Sequence, residues 1–394
     1  MSDKNQVIID EREIIGFDCH PDIFTAASIS GKTPLDATVN WIDDKIPMDS
    51  LESWLKKRVT KNDLIVIEAS GNTFSTVKRI QKLGLSVVIV ESFQASKVKK
   101  SYCSTDKTSA VSLAKVYLSG LASIVWMPDE KTLTRREIFK TYNKAVRDTT
   151  RNKNRITGFL NQHGLPSFRK SNYLSEKTFQ ELLTLKDWNE HQRSIIEVLF
   201  NDLWYNEKKR KSLKSIMSQE ILENPEAFKL IRMYGIREVN AYALTAMIGD
   251  INRFENPKKL VAYIGLNPKV NQSGNRDKSA GRSSFGRRDL RALLVQSAHT
   301  VFRNPDHPLF TWAWKLRKRK GANVAVIAVA RKIVVLCWYL LKGHFTALEE
   351  ITESLKIKID KIVSYIGSKK IKSWGYKYVR DYKHEKYNLL LNSG

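Results

Sequence analysis

Three short apolar runs set the terms on which the first third of this chain can fold. Ile14-Ile15-Gly16-Phe17 runs into Asp18, Leu64-Ile65-Val66-Ile67 runs into Glu68, and Leu85 to Val90 is rich in valine and isoleucine. Runs of this length without polar alternation suit strands buried on both faces, the habit of parallel strands covered by helices. The acids closing the first two runs are expensive to desolvate and are rarely left unpaired. Two carboxylates on neighbouring strands suit a hard divalent cation such as Mg²⁺. Asp106, which opens a helical segment, offers a third.

The surrounding pattern fills in a mixed sheet. Residues 12–29 read as a strand, a turn at His20-Pro21-Asp22 and a second strand, and residues 34–40 as a third. Helices are expected at 48–60, 74–83 and 106–119, strands at 63–69 and 85–90, and a short closing strand at Val125-Trp126. Gly84 ends its helix as a C-terminal glycine does. Pro128 to Glu130 breaks the chain, giving a first domain over 1–128.

Beyond the break the pattern is helical. Residues 131–163 and 174–222 read as two long helices around Gly164 and Pro166, an antiparallel hairpin or coiled-coil spacer over 129–224. A further domain over 225–345 has helices at 226–233, 237–248, 256–264, 289–302, 308–319 and 322–342. Its residues 265–289 read as a loop rich in Gly, Ser, Asn and Arg. The turn at Gly235 is a weak match to a helix-hairpin-helix, because Arg237 replaces the second glycine. The basic tail, 346–394, carries no assigned role. The apolar stretch Ala322 to Leu341 contains Arg331 and Lys332 and reads as a core helix, with no membrane partner.

Charge separates the two parts. The 394 residues carry a formal charge of +26, but residues 1–128 hold 16 Lys+Arg against 15 Asp+Glu, and the remainder 51 against 26. So one-sided a balance points to a polyanion bound by the second part. Charged residues make up 27% and hydrophobic ones 42%, which fits a globular protein rather than a disordered one. Three cysteines, Cys19, Cys103 and Cys337, lack zinc spacing and cannot pair off, and the polar N-terminus has no signal segment. A cytoplasmic setting is expected.

The basic loop is the second candidate site. It holds Lys269, Arg276, Lys278 and Arg282, and Arg287, Arg288 and Arg291 follow, with Ser273, Ser279, Ser283 and Ser284 among them. Arginine suits phosphate through its planar fork. Composition alone favours a flexible loop that grips phosphate electrostatically, since serine is common in loops. Arg317, Lys318 and Arg319, within Lys315 to Lys320, form a second basic patch that contacts a backbone or ends a solvated helix.

With these residues in hand, the chain resembles a known family. Asp18 in "GFDCH", Glu68 in "VIEASGN", Asp106 in "STDKTSAVSLA" and the block from "MIGDINRF" to "LLVQSA" look like the DEDD transposases of the insertion-sequence one-ten family, relatives of the Piv and MooV invertases. The resemblance implies an α/β RNase H-like (RuvC-like) domain binding Mg²⁺ through four acids. It also implies a mainly helical transposase domain whose serine, similar to Ser273, joins covalently to DNA. Such proteins act on donor and target double-stranded DNA, are guided by a bridge RNA, and assemble as homo-oligomers, dimers or tetramers. The fourth acid of the pattern is here Ser109, on the same helix face as Asp106, so one metal would be held less tightly or this copy would be impaired. A transposase or recombinase is therefore expected. A Piv-type invertase, a RuvC-like endonuclease and a silent nucleic-acid-binding protein are the rivals.

Overall fold

The computed structural model describes residues 12–91, 105–166, 168–273, 276–282, 286–344 and 352–392. Cys103, Ser283 and Ser284 lie outside them. The chain divides into two compact units, 1–128 and 129–394.

In the first unit the apolar runs are neighbouring strands. The order is β1 (Ile14–Cys19), β2 (Ile23–Ser30), β3 (Thr38–Pro47), α1 (Leu51–Arg58), β4 (Leu64–Glu68), α2 (Thr73–Lys82), β5 (Ser86–Val90) and α3 (Asp106–Leu118). The sheet runs β3-β2-β1-β4-β5. The first three strands pair antiparallel, whereas β1, β4 and β5 are parallel. Alternation sends side chains to opposite faces. Ile15, Phe17, Ile65 and Ile67 pack with Leu51, Leu55, Val77 and Ile80 of α1 and α2. Ile14, Leu64 and Val66 pack with Leu113 and Ala114 of α3. Helices therefore cover both faces, and β1 and β4 are buried on each.

Gly16 sets how close α3 comes. A Cβ there would lie 1.9 Å from the Ala110 carbonyl oxygen, so only glycine leaves room for this helix on this strand.

Two expectations shift here. The third strand was expected at 34–40 and is found at Thr38–Pro47. The residues before it form a turn, in which the Thr33 N–H and hydroxyl both donate to the Asp36 carboxylate at 2.6 and 2.7 Å. The closing strand at Val125-Trp126 is only a bridge, Val90 to Ile124.

The second unit is helical. It begins with α4 (Glu130–Gln162), α5 (Glu176–Thr184), α6 (Glu190–Glu223), α7 (Pro225–Ile231), α8 (Glu238–Ile248) and α9 (Pro257–Ile264). A hairpin of β6 (Pro268–Ser273) and β7 (Arg276–Arg282) follows. The unit ends with α10 (Arg288–Arg303), α11 (Phe310–Lys320), α12 (Ala322–Leu341), α13 (Thr352–Ile366), α14 (Ser368–Ser373) and α15 (Val379–Asn392).

The long helices α4 and α6 run antiparallel. Phe139 shares a core with Met217 and Ile221, while Ile156 and Leu160 share one with Ile196 and Phe200. The expected helix 174–222 is broken, because the Trp188 indole caps α5 by donating to the Leu182 carbonyl and Asn189 caps α6. The loop expected over 265–289 is largely the β-hairpin. The C-terminal tail also gains a place: Leu355, Ile359, Ile362 and Val363 of α13 join the main helical core. By length and composition α12 could cross a membrane, but Ala325, Val329, Ala330, Ile333 and Cys337 face that same core.

Candidate active site

The parallel pairing of β1 and β4 brings the two strand-end acids together. Phe17 pairs with Ile67, so Asp18 and Glu68 are the next residues on adjacent strands, about 4.8 Å apart in the hydrogen-bonding direction. Both continue the alternation of Ile14, Gly16, Leu64 and Val66, and so lie on the α3 face. Asp106 is the first residue of α3, where Thr105 caps the helix in a box with Thr108. An aspartate in a first turn is favoured by the helix dipole. The fold places Asp18, Glu68 and Asp106 toward one end of one face, and of these three acids Asp18 and Asp106 are the two whose ligand atoms come together in one group.

His20 joins them, and the sequence reading passed over it. One ligand atom each from Asp18, His20 and Asp106 lies within 4.8 Å of the others, and His20 Nε2 is 3.6 Å from Asp106 Oδ1. The turn holding His20 is fixed through both of its backbone polar groups. Its N–H donates to the Ile23 carbonyl at 2.9 Å, and its carbonyl accepts from Asn72 Nδ2 at 2.9 Å. Asn72 follows Glu68 in the second motif, so the two motifs are tied together. The missed signal was periodicity, since residues two apart on an extended chain share a side.

Two carboxylates and an imidazole at this spacing fit a divalent cation. Carboxylates suit Mg²⁺ and Mn²⁺, and imidazole favours the transition metal. Cys19 packs against the core on the α1 and α2 face, opposite Asp18, and burial, with Asp18 adding to it, pushes its thiol up to about 12. Ser109 lies one turn into α3 and is 6% exposed. On the next strand out, the Thr25 hydroxyl donates to Asp44 at 2.9 Å, and Lys107 lies 3.4 Å from the same carboxylate. The Thr25 hydrogen bond, with Lys107, holds Asp44 below the usual carboxylate range.

In the second unit Ser273 is the last residue of β6, paired across the hairpin with Arg276. Lys269, Lys278 and Arg282 lie on the same two strands. The neighbouring arginines divide. Arg288 is exposed. Arg287 is half-buried and ion-paired with Asp289 at 2.7 Å. Arg291 is 4% exposed and donates to the Gly265 carbonyl at 3.1 Å, so it braces the hairpin's base instead of facing a phosphate. Arg317, Lys318 and Arg319 are exposed in the last turn of α11, where cations also complement the helix dipole. The Gly235 turn packs on α10, its Cβ position 3.0 Å from the Thr300 hydroxyl, which leaves little of a helix-hairpin-helix cradle.

Among known proteins, the matching family model lies within the second unit. The family described as Transposase IS116/IS110/IS902 matches residues 228–311. The transposase for insertion sequence element IS1111A of Coxiella burnetii is 24% identical over 294 residues, spanning 72% of this chain and 78% of that protein. The transposase for insertion sequence element IS1328 of Yersinia enterocolitica is 26% identical over 125 residues, or 31% and 37%. The pilin gene-inverting protein of Moraxella lacunata is 26% identical over 204 residues, or 49% and 58%. Residues 228–311 thus carry the domain of the IS116/IS110/IS902 transposases, and the chain is a relative of that family and of the pilin gene inverters.

Proposed function

We propose that this protein is a DNA recombinase of a mobile element. The first unit is RNase H-like (RuvC-like), and Ser273 of the second forms a phosphoserine link to DNA. The observation that carries the reading is the meeting of Asp18, Asp106 and His20 at one end of the sheet, in a chain whose second unit matches a transposase domain. The strand order, with three antiparallel strands followed by two parallel ones, supports the RuvC-like assignment.

Asp18, Glu68 and Asp106 would hold a divalent cation such as Mg²⁺, with His20 beside them and Ser109 on the same helix face. Lewis-acid stabilisation of phosphoryl oxygens is the chemistry a bound cation supplies there. Ser273 Oγ forms a bond to phosphorus, and the bond from phosphorus to the departing deoxyribose oxygen breaks. The departing oxygen takes up a proton equivalent to the one Ser273 releases. The phosphodiester count is unchanged, so rejoining needs no external energy source. Arg276, Lys278 and Arg282 on the hairpin, with Lys269, supply positive charge for the phosphate.

Donor and target double-stranded DNA are the substrates in this reading, with a bridge RNA as the guide, a dimer or tetramer as the assembly and the cytoplasm as the setting. The match to a pilin gene inverter supports a second reading, site-specific inversion. The two separate in a covalent-trapping experiment with Mg²⁺, labelled junction DNA and RNA transcribed from the gene's flanks. An adduct that needs the RNA identifies a guided recombinase, and one that does not identifies an invertase. Free nicks without an adduct would mean an endonuclease, and binding without chemistry a silent copy.

Two measurements on the metal site need no catalysis. Asp106→Asn and His20→Ala are each expected to weaken Mn²⁺ binding by calorimetry by about tenfold or more. Unchanged affinity in His20→Ala would remove the imidazole from the ligand set. Ser109→Asp restores the family's fourth acid at a position that is 6% exposed. An unpaired buried carboxylate is destabilising, so the variant should melt below the wild type without metal. Mg²⁺ should raise its melting temperature by more than it raises that of the wild type.

A further inference from the structure

We infer that the outer face of α4 is a track for the backbone of duplex DNA, separate from the hairpin and from the α11 patch. At 100° per residue, Lys140, Lys144, Arg147, Arg151 and Arg155 fall in one narrow stripe about 22 Å long. All five are exposed. The stripe lies opposite the buried face of the same helix, formed by Tyr142, Ala145, Thr149, Asn152, Ile156 and Leu160. Among the described residues only Arg151 of the five has an acidic partner, Asp148 at 3.1 Å. The stripe also lines two concavities of about 420 and 540 Å³, the first shared with Asp148 and with Asp289 at the start of α10.

The arrangement is costly unless an anion meets it. Like charges four apart on a helix repel by about 0.2–0.5 kcal/mol per pair, and Lys140/Lys144, Arg147/Arg151 and Arg151/Arg155 are such pairs. A face kept only for solvation usually alternates sign. Here Glu137 and Asp148 stand at one edge and the centre is uniformly basic.

The chemistry narrows the partner. No aromatic side chain lies on the stripe, so it offers no platform for stacking unpaired bases. Asn143 and Asn154 flank the cations, and their side-chain amides can donate to phosphate oxygens, whereas the Thr150 hydroxyl donates to the Val146 carbonyl at 3.0 Å. Cations repeating every three or four residues, with polar donors beside them, fit a sequence-neutral grip on a double-stranded backbone. The choice of DNA over duplex RNA rests on the recombinase reading above.

The test is equilibrium binding of the full chain to a random-sequence DNA duplex of about two helical turns, followed by fluorescence anisotropy between about 50 and 200 mM salt. The comparison is with a variant carrying Lys140→Ala, Lys144→Ala, Arg147→Ala, Arg151→Ala and Arg155→Ala. The slope of log affinity against log salt should become shallower by about 3–4, close to 0.9 for each phosphate that the variant no longer neutralises. An unchanged slope would overturn the track, and a loss confined to a duplex RNA of equal length would reassign it to RNA. A second measurement uses the wild-type protein. DNA should protect Lys140 and Lys144 from chemical acetylation read by mass spectrometry, and full acetylation in the complex would sink the proposal even if the variant folds poorly. Neither experiment depends on Ser273, so failure of the covalent reading would leave this result standing, and the reverse.

Discussion

Ser273→Ala is expected to give no covalent protein–DNA adduct under conditions where the wild-type protein gives one, while its affinity for DNA stays unchanged. The mutation removes the only atom that the proposed step joins to phosphorus, so the loss should be about 10³-fold or more in rate. The backbone context is undemanding. Ser273 ends β6 opposite Arg276, and alanine needs no special dihedral in an extended strand. A fall in thermal stability is therefore not expected, and a melting curve matching the wild type would make the loss a chemical one. The readout is a denaturing gel of labelled junction DNA with Mg²⁺. An adduct that survives in Ser273→Ala would point to another nucleophile, with Ser279 the first to examine because it lies on the paired strand β7. Free nicks from Ser273→Ala in place of the adduct would mean that the carboxylate unit cleaves by activating water, which is the endonuclease chemistry.

The strands that carry Asp18 and Glu68 were largely legible in the sequence, because burial on both faces leaves an unmistakable run. β1 and β4 follow from that pattern, and the places of the acids at their ends then follow from the register. β5 has the apolar run of a buried strand but is the sheet's edge, with Ser86 exposed and Val87 and Val88 only partly buried. His20 was passed over because a turn at His-Pro-Asp reads as surface. Its place on the Asp18 side comes from the alternation of an extended chain, which the turn does not interrupt.

The hairpin β6/β7 was read as a loop for a related reason. Its residues are Gly-, Ser- and Arg-rich, with few of the β-branched and aromatic residues that mark strands. The signal that could have found it is in the sequence alone: a Gly-Asn dipeptide at 274–275, which lies outside the described residues, is a pattern that reads as a hairpin. β3 was misplaced because it is an edge strand carrying Asp43, Asp44 and Lys45, and charge on an edge protects it from pairing with other chains. In the tail, Leu355, Ile359, Ile362, Val363 and Ile366 do follow a helical period, but the lysines and tyrosines around them obscure it.

Gly16→Ala is expected to be the most damaging single methyl group in the first unit, although it alters no acidic residue. The new Cβ would lie 1.9 Å from the Ala110 carbonyl oxygen and 3.0 Å from the Ala114 nitrogen. Both are backbone atoms of α3, so no side-chain rotation relieves the overlap. Either α3 lifts from the sheet or β1 bends away from β4. Overpacking of this kind costs about 3 kcal/mol, at the upper end of the usual range. The consequence reaches the site because α3 carries Asp106 on its first residue and Ser109 a turn later. Displacing the helix separates Asp106 from Asp18 and His20, whose ligand atoms now lie within 4.8 Å. The variant should therefore melt at a lower temperature, and its remaining folded fraction should bind Mn²⁺ more weakly in calorimetry. A lower melting temperature with wild-type Mn²⁺ affinity would show that the metal is held without Asp106. That result would move the centre to the strand-borne pair, Asp18 and Glu68, and leave α3 with a packing role alone.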